Sequence, residues 1–497
     1  MALGRQCWLT SIAARTAVLR FRCCSRVLAY LNYIIIFSIK MSSCEFQAVV
    51  LAAGRGTRLP EVLGDSPKCL LPVGPYPLIW YPLNMLSRHN FTEVIVVVQE
   101  QDKLEIQLSL EHTPLKVKID YATVPNDSDF GTADSLRYIY DRIKSDFLVV
   151  SCDIVSNVSL YPLINKFRAD DASLALLLFK SGFESDVVMP GPKTKYKPER
   201  DMIGIHTATQ RLAFIFAASD CEDTLNIKRH LLKNKGQLDV YGRLLDAHIY
   251  VLKKWVINYL HRKEQISTFK GEFLPHLIRK QHARRSTKIA PDTTSELGVG
   301  TKHEDNILHY VTHTALDQKL TQTSLFNQSL SHIPYHGDVV RCFAVQAPKD
   351  AIGVRVNNTL SFLAINRKLA GIWQELCGDA HPLISPGAVV KSTQTKDIIV
   401  ADNAKLSEKT SLNFSVFGPN CIVHPKNIVT NSIIMANAIV EEGCNINNCI
   451  IGYRAQIKSG SVLNNCLIGP NYVVEEGTKS QALQLSNADQ YMEIDIQ

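Results

Sequence analysis

The sequence predicts an α/β domain built on a mostly parallel sheet, followed by a polar linker and a parallel β-helix. Three observations predict it. Apolar runs alternate with helical stretches over the first half of the chain. A glycine-bearing loop follows the first of those runs. A repeat with an offset of 17 residues fills the C-terminal part.

The elements follow in chain order. FQAVVL (Phe46 to Leu51) reads as a buried strand, and EVIVVV (Glu93 to Val98), VKIDYA (Val117 to Ala122) and FLVVS (Phe147 to Ser151) as three more. Leu78 to Arg88 and Thr132 to Ile143 carry helical patterns between them. Strand–helix alternation of this kind puts helices on both faces of the sheet, and ligands bind beyond the C-terminal strand ends. Gly54 falls there.

The loop LAAGRGTRLPEVLGDSPKCLLPV (Leu51 to Val73) holds Gly54, Gly56, Thr57 and Arg58, with Lys68 ten residues after the arginine. Glycine lets backbone N–H groups approach a phosphate, and a guanidinium and an ammonium offset its charge. The expectation is a triphosphate cradle. Gly131-Thr132-Ala133 opens a helix, whose free N–H groups and positive dipole end also suit an anion; a plain helix start explains these residues equally. Asp153 ends a hydrophobic strand, as a Mg²⁺-binding carboxylate or a capping aspartate would.

The domain expected from this pattern runs over 44–282. From 283 to 337 the periodicity fades into Thr, Ser, Gln and Asp, read as a polar linker with one short helix around Ile307 to Leu316. A connecting segment, 338–380, carries an amphipathic helix over Leu360 to Leu376, with Phe362, Ile365, Leu369 and Trp373 on one side. The β-helix is expected over 381–479, with a tail over 480–497. Val416, Ile433, Ile450 and Leu467 recur in register, as do Val423, Val440, Ile457 and Val474, and the turn glycines Gly443, Gly460 and Gly477. Three hexapeptide-like units per coil place aliphatic side chains at three inward corners. His424 lies in a coil as a surface turn histidine, or as the general base of an acyltransferase. The Asn-Cys steps at 448–449 and 465–466 read as packing residues, not metal ligands.

Composition narrows the function classes. The formal net charge is +7. Residues 1–40 carry five arginines, one lysine and no acid, which leaves 48 bases against 47 acids in the rest. That near-neutral body gives no electrostatic case for binding nucleic acid. The 13 cysteines form no CxxC pair, so thiols in a reducing compartment are expected and zinc is not. Residues 1–40 read as an upstream extension with Met41 as the working start; an arginine-rich, acid-free start also fits a transit or signal peptide. Their apolar run, Val27 to Ser38, is too short to span a bilayer.

The loop resembles the nucleotide loop of the sugar-nucleotide pyrophosphorylases, the nucleotidyltransferase family. PLIWYPL (Pro77 to Leu83), GTADSLRYIY (Gly131 to Tyr140), LVVSCD (Leu148 to Asp153) and FLPHLIRKQ (Phe273 to Gln281) resemble, within that superfamily, the gamma-subunit family of eukaryotic translation initiation factor 2B. The resemblance implies a Rossmann-like nucleotidyltransferase domain followed by a left-handed parallel β-helix. It implies nucleotide-binding roles for Gly54, Gly56, Thr57, Arg58, Lys68, Gly131, Thr132 and Ala133, and a metal role for Asp153, with Glu272 as the second carboxylate. Two departures weigh against catalysis. Cys152 stands where active relatives carry glycine, and Phe216-Ala217-Ala218 follows RLAFI where they carry Glu-Lys-Pro. Both charged groups that would grip the sugar phosphate are missing. The expected function is therefore a non-catalytic cytosolic subunit. It needs no cofactor, although a vestigial nucleotide or sugar-nucleotide ligand fits the loop. Its partners would be the epsilon subunit, the other subunits of the initiation factor 2B complex, and the substrate, initiation factor 2. The alternative is an active sugar-nucleotide pyrophosphorylase.

Overall fold

The computed structural model describes residues 45–54, 66–111, 113–126, 130–192, 199–220, 227, 237–281, 307–311, 339–378 and 381–486. The four strands read from sequence all form. They are β1 (Phe46–Leu51), β4 (Glu93–Gln99), β5 (Lys118–Val124) and β6 (Asp146–Ser151), parallel in the order β6-β1-β4-β5. A small hairpin, β2 (Pro72–Val73) with β3 (Tyr76–Pro77), leads from the loop to helix α1 (Trp80–Arg88). Helix α2 (Lys103–Glu111) joins β4 to β5, and α3 (Thr132–Tyr138) precedes β6. Alternate residues of each strand enter opposite cores, as a period of two requires: Ala48 and Val50 on one face, Val49 on the other.

The other half of the sheet departs from the mostly parallel expectation. After β7 (Ile154–Ser156) and α4 (Tyr161–Ala169) come β8 (Leu174–Lys180), β9 (Asp201–His206) and β10 (Leu212–Ala217). The long β11 (Leu238–Leu252) is antiparallel to β6, β8 and β9 in turn. β9 and β10 are joined by a short turn, which permits only antiparallel pairing. β11 shifts register between Asp246 and Tyr250, with His248 at φ 53°. Helices α5 (Lys254–His261) and α6 (Leu274–Lys280) cover that face.

The stretch read as a connecting segment is built into the first domain. β12 (Cys342–Gln346) adds to the sheet parallel to β8. β13 (Gly353–Arg355) pairs antiparallel with β7, and α7 (Thr359–Cys377) follows, started by the Asn358 side chain accepting from the Ser361 N–H. Within the stretch read as linker, Ile307 and Val311 are buried in the same domain's core, and Ile307–His309 forms one 3₁₀ turn; the rest of the short helix expected there lies outside the described residues.

Residues from 389 to 485 form three six-stranded parallel sheets, each strand paired with the one 17 residues on (16 for the first, Val389 with Lys405), which is the left-handed β-helix. Each of its three corners sits in the left-handed region, at Asn420, Asn437, Arg454 and Asn471 in one row, at Gly443, Gly460 and Gly477 in a second and at Asn431, Asn448 and Asn465 in the third. Asn and Gly tolerate that conformation best, which accounts for their recurrence. Val423, Val440, Ile457 and Val474 point inward as expected. Val416, Ile433, Ile450 and Leu467 do not. Each belongs to a two-residue strand whose second member (Phe417, Ile434, Ile451 or Ile468) fills the coil, so the first must face out. They are buried instead against the first domain, in one cluster with Phe362, Leu369 and Trp373 of α7. The Asn-Cys steps complete a buried column in which the Cys449 N–H bonds the Ser432 hydroxyl at 3.1 Å and the Cys466 N–H bonds the Cys449 sulfur at 3.3 Å. Among the described residues no helix is long and apolar enough to cross a membrane.

His89 ties α1 to α4. Its Nε2 accepts the Leu160 N–H at 2.9 Å, and its Nδ1 lies 2.7 Å from the Met85 carbonyl. Only the neutral ring can do both. Burial lowers its pKa below 6.5, partly opposed by the Met85 carbonyl. The unfolded chain therefore takes up the proton first, and this stabilisation is complete above pH 6.5 and lost as pH falls below it. Between about pH 7.5 and about pH 5.5 the urea midpoint of the wild type should fall further than that of His89→Gln.

Candidate functional site

Three segments meet at the C-terminal end of β1 and β6. The ladder runs one step past β6, where the Cys152 N–H bonds the Leu51 carbonyl at 3.0 Å. This sets Asp153 under the loop, buried to 2 % exposure. Lys68 opens the 3₁₀ turn Lys68–Leu70 and places Nζ 2.6 Å from Asp153 Oδ2. Gly54 is exposed, with open space about its Cα. Gly56, Thr57 and Arg58 lie outside the described residues.

Asp153 is not poised for a metal. Arg355 Nη2 bonds Oδ2 at 3.0 Å and its Nε lies 3.4 Å from Oδ1, while the Ser151 hydroxyl donates to Oδ1 at 2.7 Å. Both oxygens are thus engaged by two cations and a hydroxyl. Burial would raise this carboxyl's pKa, but Arg355 and Lys68 together hold it well below the usual range. A guanidinium and an ammonium supply the two positive charges that a divalent cation would bring. Among the described residues no group of three or more His, Cys, Asp or Glu side chains could hold a metal ion. Burial, reinforced by the Asp153 charge, pushes the neighbouring Cys152 thiol up to about 12.

Arg355 was not legible in the sequence. It arrives on β13, whose register sets it opposite Ile154, and the Val356 N–H bonds the Asp153 carbonyl at 2.8 Å. The strand passes so close to Phe179 that a Cβ on Gly353 would lie 2.0 Å from the ring. Further charged groups lie close to the triad. The Asp246 N–H and Lys270 Nζ both bond Asp201 Oδ2, at 2.8 and 2.9 Å. Asp246 in turn accepts the Tyr250 hydroxyl and, at 3.0 Å, the His248 N–H. Burial raises the Asp246 pKa, and burial with Arg355 and Lys270 lowers that of His248 well below 6.5, so this histidine is neutral. Asp201, Asp246, His248 and Lys270 sit in no local motif. The register shift of β11 assembles them.

The helix start at Gly131 is occupied by the chain itself. The Ser267 carbonyl accepts the Ala133 N–H at 2.9 Å, and the Thr132 hydroxyl accepts the Phe269 N–H at 2.8 Å. Gly131 is needed because a Cβ there would lie 2.2 Å from that carbonyl. Asp134 accepts the Gly131 N–H at 3.0 Å. Glu272 does not serve as a second metal carboxylate. It is exposed and accepts the Ser267 and Thr268 N–H groups at 2.7 and 3.0 Å, fixing the loop that closes the helix start. Phe216 and Ala217 end β10 half-buried, with the Phe214 and Phe216 rings 5.5 Å apart, so no charged grip forms there. His424 is exposed on its corner.

This is a nucleotidyl transferase-type α/β domain whose buried carboxylate is neutralised from within, fused to a β-helix. Residues 47–185 match the family model described as nucleotidyl transferase, and residues 394–483 match the GMPPB C-terminal domain. The chain is 34% identical over 241 residues to the translation initiation factor eIF2B gamma subunit of Caenorhabditis elegans, covering 48% of this chain and 59% of that protein. It is 32% identical over 250 residues to the gamma subunit of Schizosaccharomyces pombe, covering 49% and 53%, and 27% identical over 408 residues to that of Dictyostelium discoideum, covering 77% and 89%. The chain thus spans just over half the length of the first two relatives. Over those spans the chain is similar to eIF2B gamma subunits.

Removing one partner of a buried ion pair leaves an unpaired charge. Arg355→Met should therefore destabilise by about 3–5 kcal/mol, and Asp153→Leu by a similar amount. The double variant should lose much less than the sum, as read from urea unfolding in a double-mutant cycle. Above the unfolded carboxylate's value of 3.8 the Asp153 contribution is complete, and it is lost as pH falls through the depressed folded value.

Proposed function

We propose that this chain is a non-catalytic subunit of the initiation factor 2B complex, pairing with the epsilon subunit to promote GDP-for-GTP exchange on initiation factor 2 in the cytosol. The observation that carries the non-catalytic part is the Lys68–Asp153–Arg355 triad, which uses the carboxylate as an internal counter-ion. The similarity to gamma subunits supports the complex. In an active nucleotidyltransferase the cation at Lys68 would face a leaving pyrophosphate, and a free carboxylate would hold the metal. Here each is bonded to the other. A nucleotide or sugar nucleotide would have to compete with that pair and with the Ser267 carbonyl at the helix start, so its binding is weak and non-productive.

Native mass spectrometry of the protein captured from its own cytosol tests the assembly. The expected result is recovery with a larger subunit of the same two-domain architecture and with the trimeric factor that it acts on. Recovery without any such subunit overturns the reading. Catalysis is tested separately, by pyrophosphate release from a panel of nucleotides and sugar phosphates with Mg²⁺. No release is expected. Turnover that Lys68→Ala abolishes would establish the pyrophosphorylase alternative.

A further inference from the structure

Among the described residues two sheets of the β-helix face water, and on one of them the charges are ordered along the coil axis. The sheet with outward residues Val389, Lys405, Ile422, Ile439, Gln456 and Val473 lies away from the sheet buried against α7. Val389 is 48% exposed and Val473 is 45% exposed, with Ile422 and Ile439 half-buried between them. Along this face and the corner that follows it, the first three coils carry Lys391, Lys405, Lys409 and Lys426 against Glu408. The last three carry Glu441, Glu442, Glu475 and Glu476 against Lys458. The basic end is therefore net +3 and the acidic end net −3. In the middle, Lys426 meets Glu442 at 2.5 Å and Lys458 meets Glu441 at 2.8 Å, so the unspent charge sits at the two ends.

We infer that this face docks a second copy of the chain, run antiparallel about a two-fold axis. An isologous contact places each feature against its counterpart in reverse order. The lysine end of one face then meets the glutamate end of the other, Lys426 and His424 meet Glu441 and Glu442, and the aliphatic ridge packs on itself. Parallel stacking would oppose like charges at both ends. Six coils about 4.8 Å apart give a face roughly 29 Å long, which buries on the order of 900 Å² in total. That is below the standard size, so the association is weak and depends on its charged ends. The inference concerns the purified chain and does not rest on the proposed function, in which a partner subunit competes for the same copies.

Sedimentation velocity on the full chain at concentrations up to about 200 µM tests it, at low and high salt. The wild type should show a monomer–dimer equilibrium at low salt that weakens about tenfold or more at high salt. Lys405→Glu with Lys409→Glu should be monomeric, and so should Glu475→Lys with Glu476→Lys. An equimolar mixture of the two variants should recover the dimer, because each end then meets its opposite. All four positions are exposed, so unchanged thermal unfolding of each variant serves as the folding control. A wild type that stays monomeric at low salt overturns the inference. So does a mixture that fails to associate, or a variant that dimerises as well as the wild type.

Discussion

The structure depends on one buried carboxylate. Asp153 sits where three pieces of chain distant in sequence converge: the loop that carries Lys68, the β6–β7 turn, and β13 with Arg355. A carboxylate taken out of water costs several kcal/mol unless its partners travel with it. Here both partners are covalently part of the fold. The chain must therefore return across the first domain, through β12 and β13, before it enters α7 and the β-helix. The site and the junction between the domains are in this way the same piece of architecture.

The junction is sealed by a second constraint, which comes from the two-residue strands of the β-helix. A strand of two residues sends one side chain in and one out. On the sheets that face water the outward residue is often polar or half-exposed. On the sheet against α7 it is Ile399, Val416, Ile433, Ile450 or Leu467, each buried. Polar seams at the edges fix the relative position, with the Gly191 N–H on the Asn465 carbonyl at 2.7 Å and the Asn448 amide on the Val188 carbonyl at 3.0 Å.

Features that depend on local pattern were legible in the sequence. The apolar runs of β1, β4, β5 and β6, the amphipathic spacing of α7 and the 17-residue period each reflect a repeat that the backbone imposes on neighbouring residues. The missing charges at Phe216-Ala217-Ala218 were legible only against the family resemblance, not from any repeat in this chain. The rest depended on contacts between distant segments. Val416 and Phe417 are both aliphatic or aromatic, and only the presence of α7 decides that the outward one is also buried. Arg355 occupies a three-residue strand whose partner, β7, lies about 200 residues earlier. His248 takes a left-handed conformation that its residue type does not announce, and the register shift around it brings Asp246 towards Asp201. Glu272 matched a family position by spacing, but a spacing does not say whether a carboxylate turns inward or caps its own loop.

The triad also explains how a polar site is held together within a buried core. Replacing Asp153 alone leaves a guanidinium and an ammonium confined without a counter-charge. Replacing Arg355 alone leaves the carboxylate with a single cation, and replacing Lys68 alone leaves it with the other. Each single step costs more than the whole arrangement contributes, because an unpaired buried charge loses its hydration without regaining it from the protein. Only concerted replacement by apolar groups of similar volume approaches neutrality. The carboxylate, the lysine and the arginine therefore hold one another in place regardless of any ligand. The presence of Lys68 and Asp153 is thus accounted for by their bonds to each other and to Arg355, without invoking a bound nucleotide.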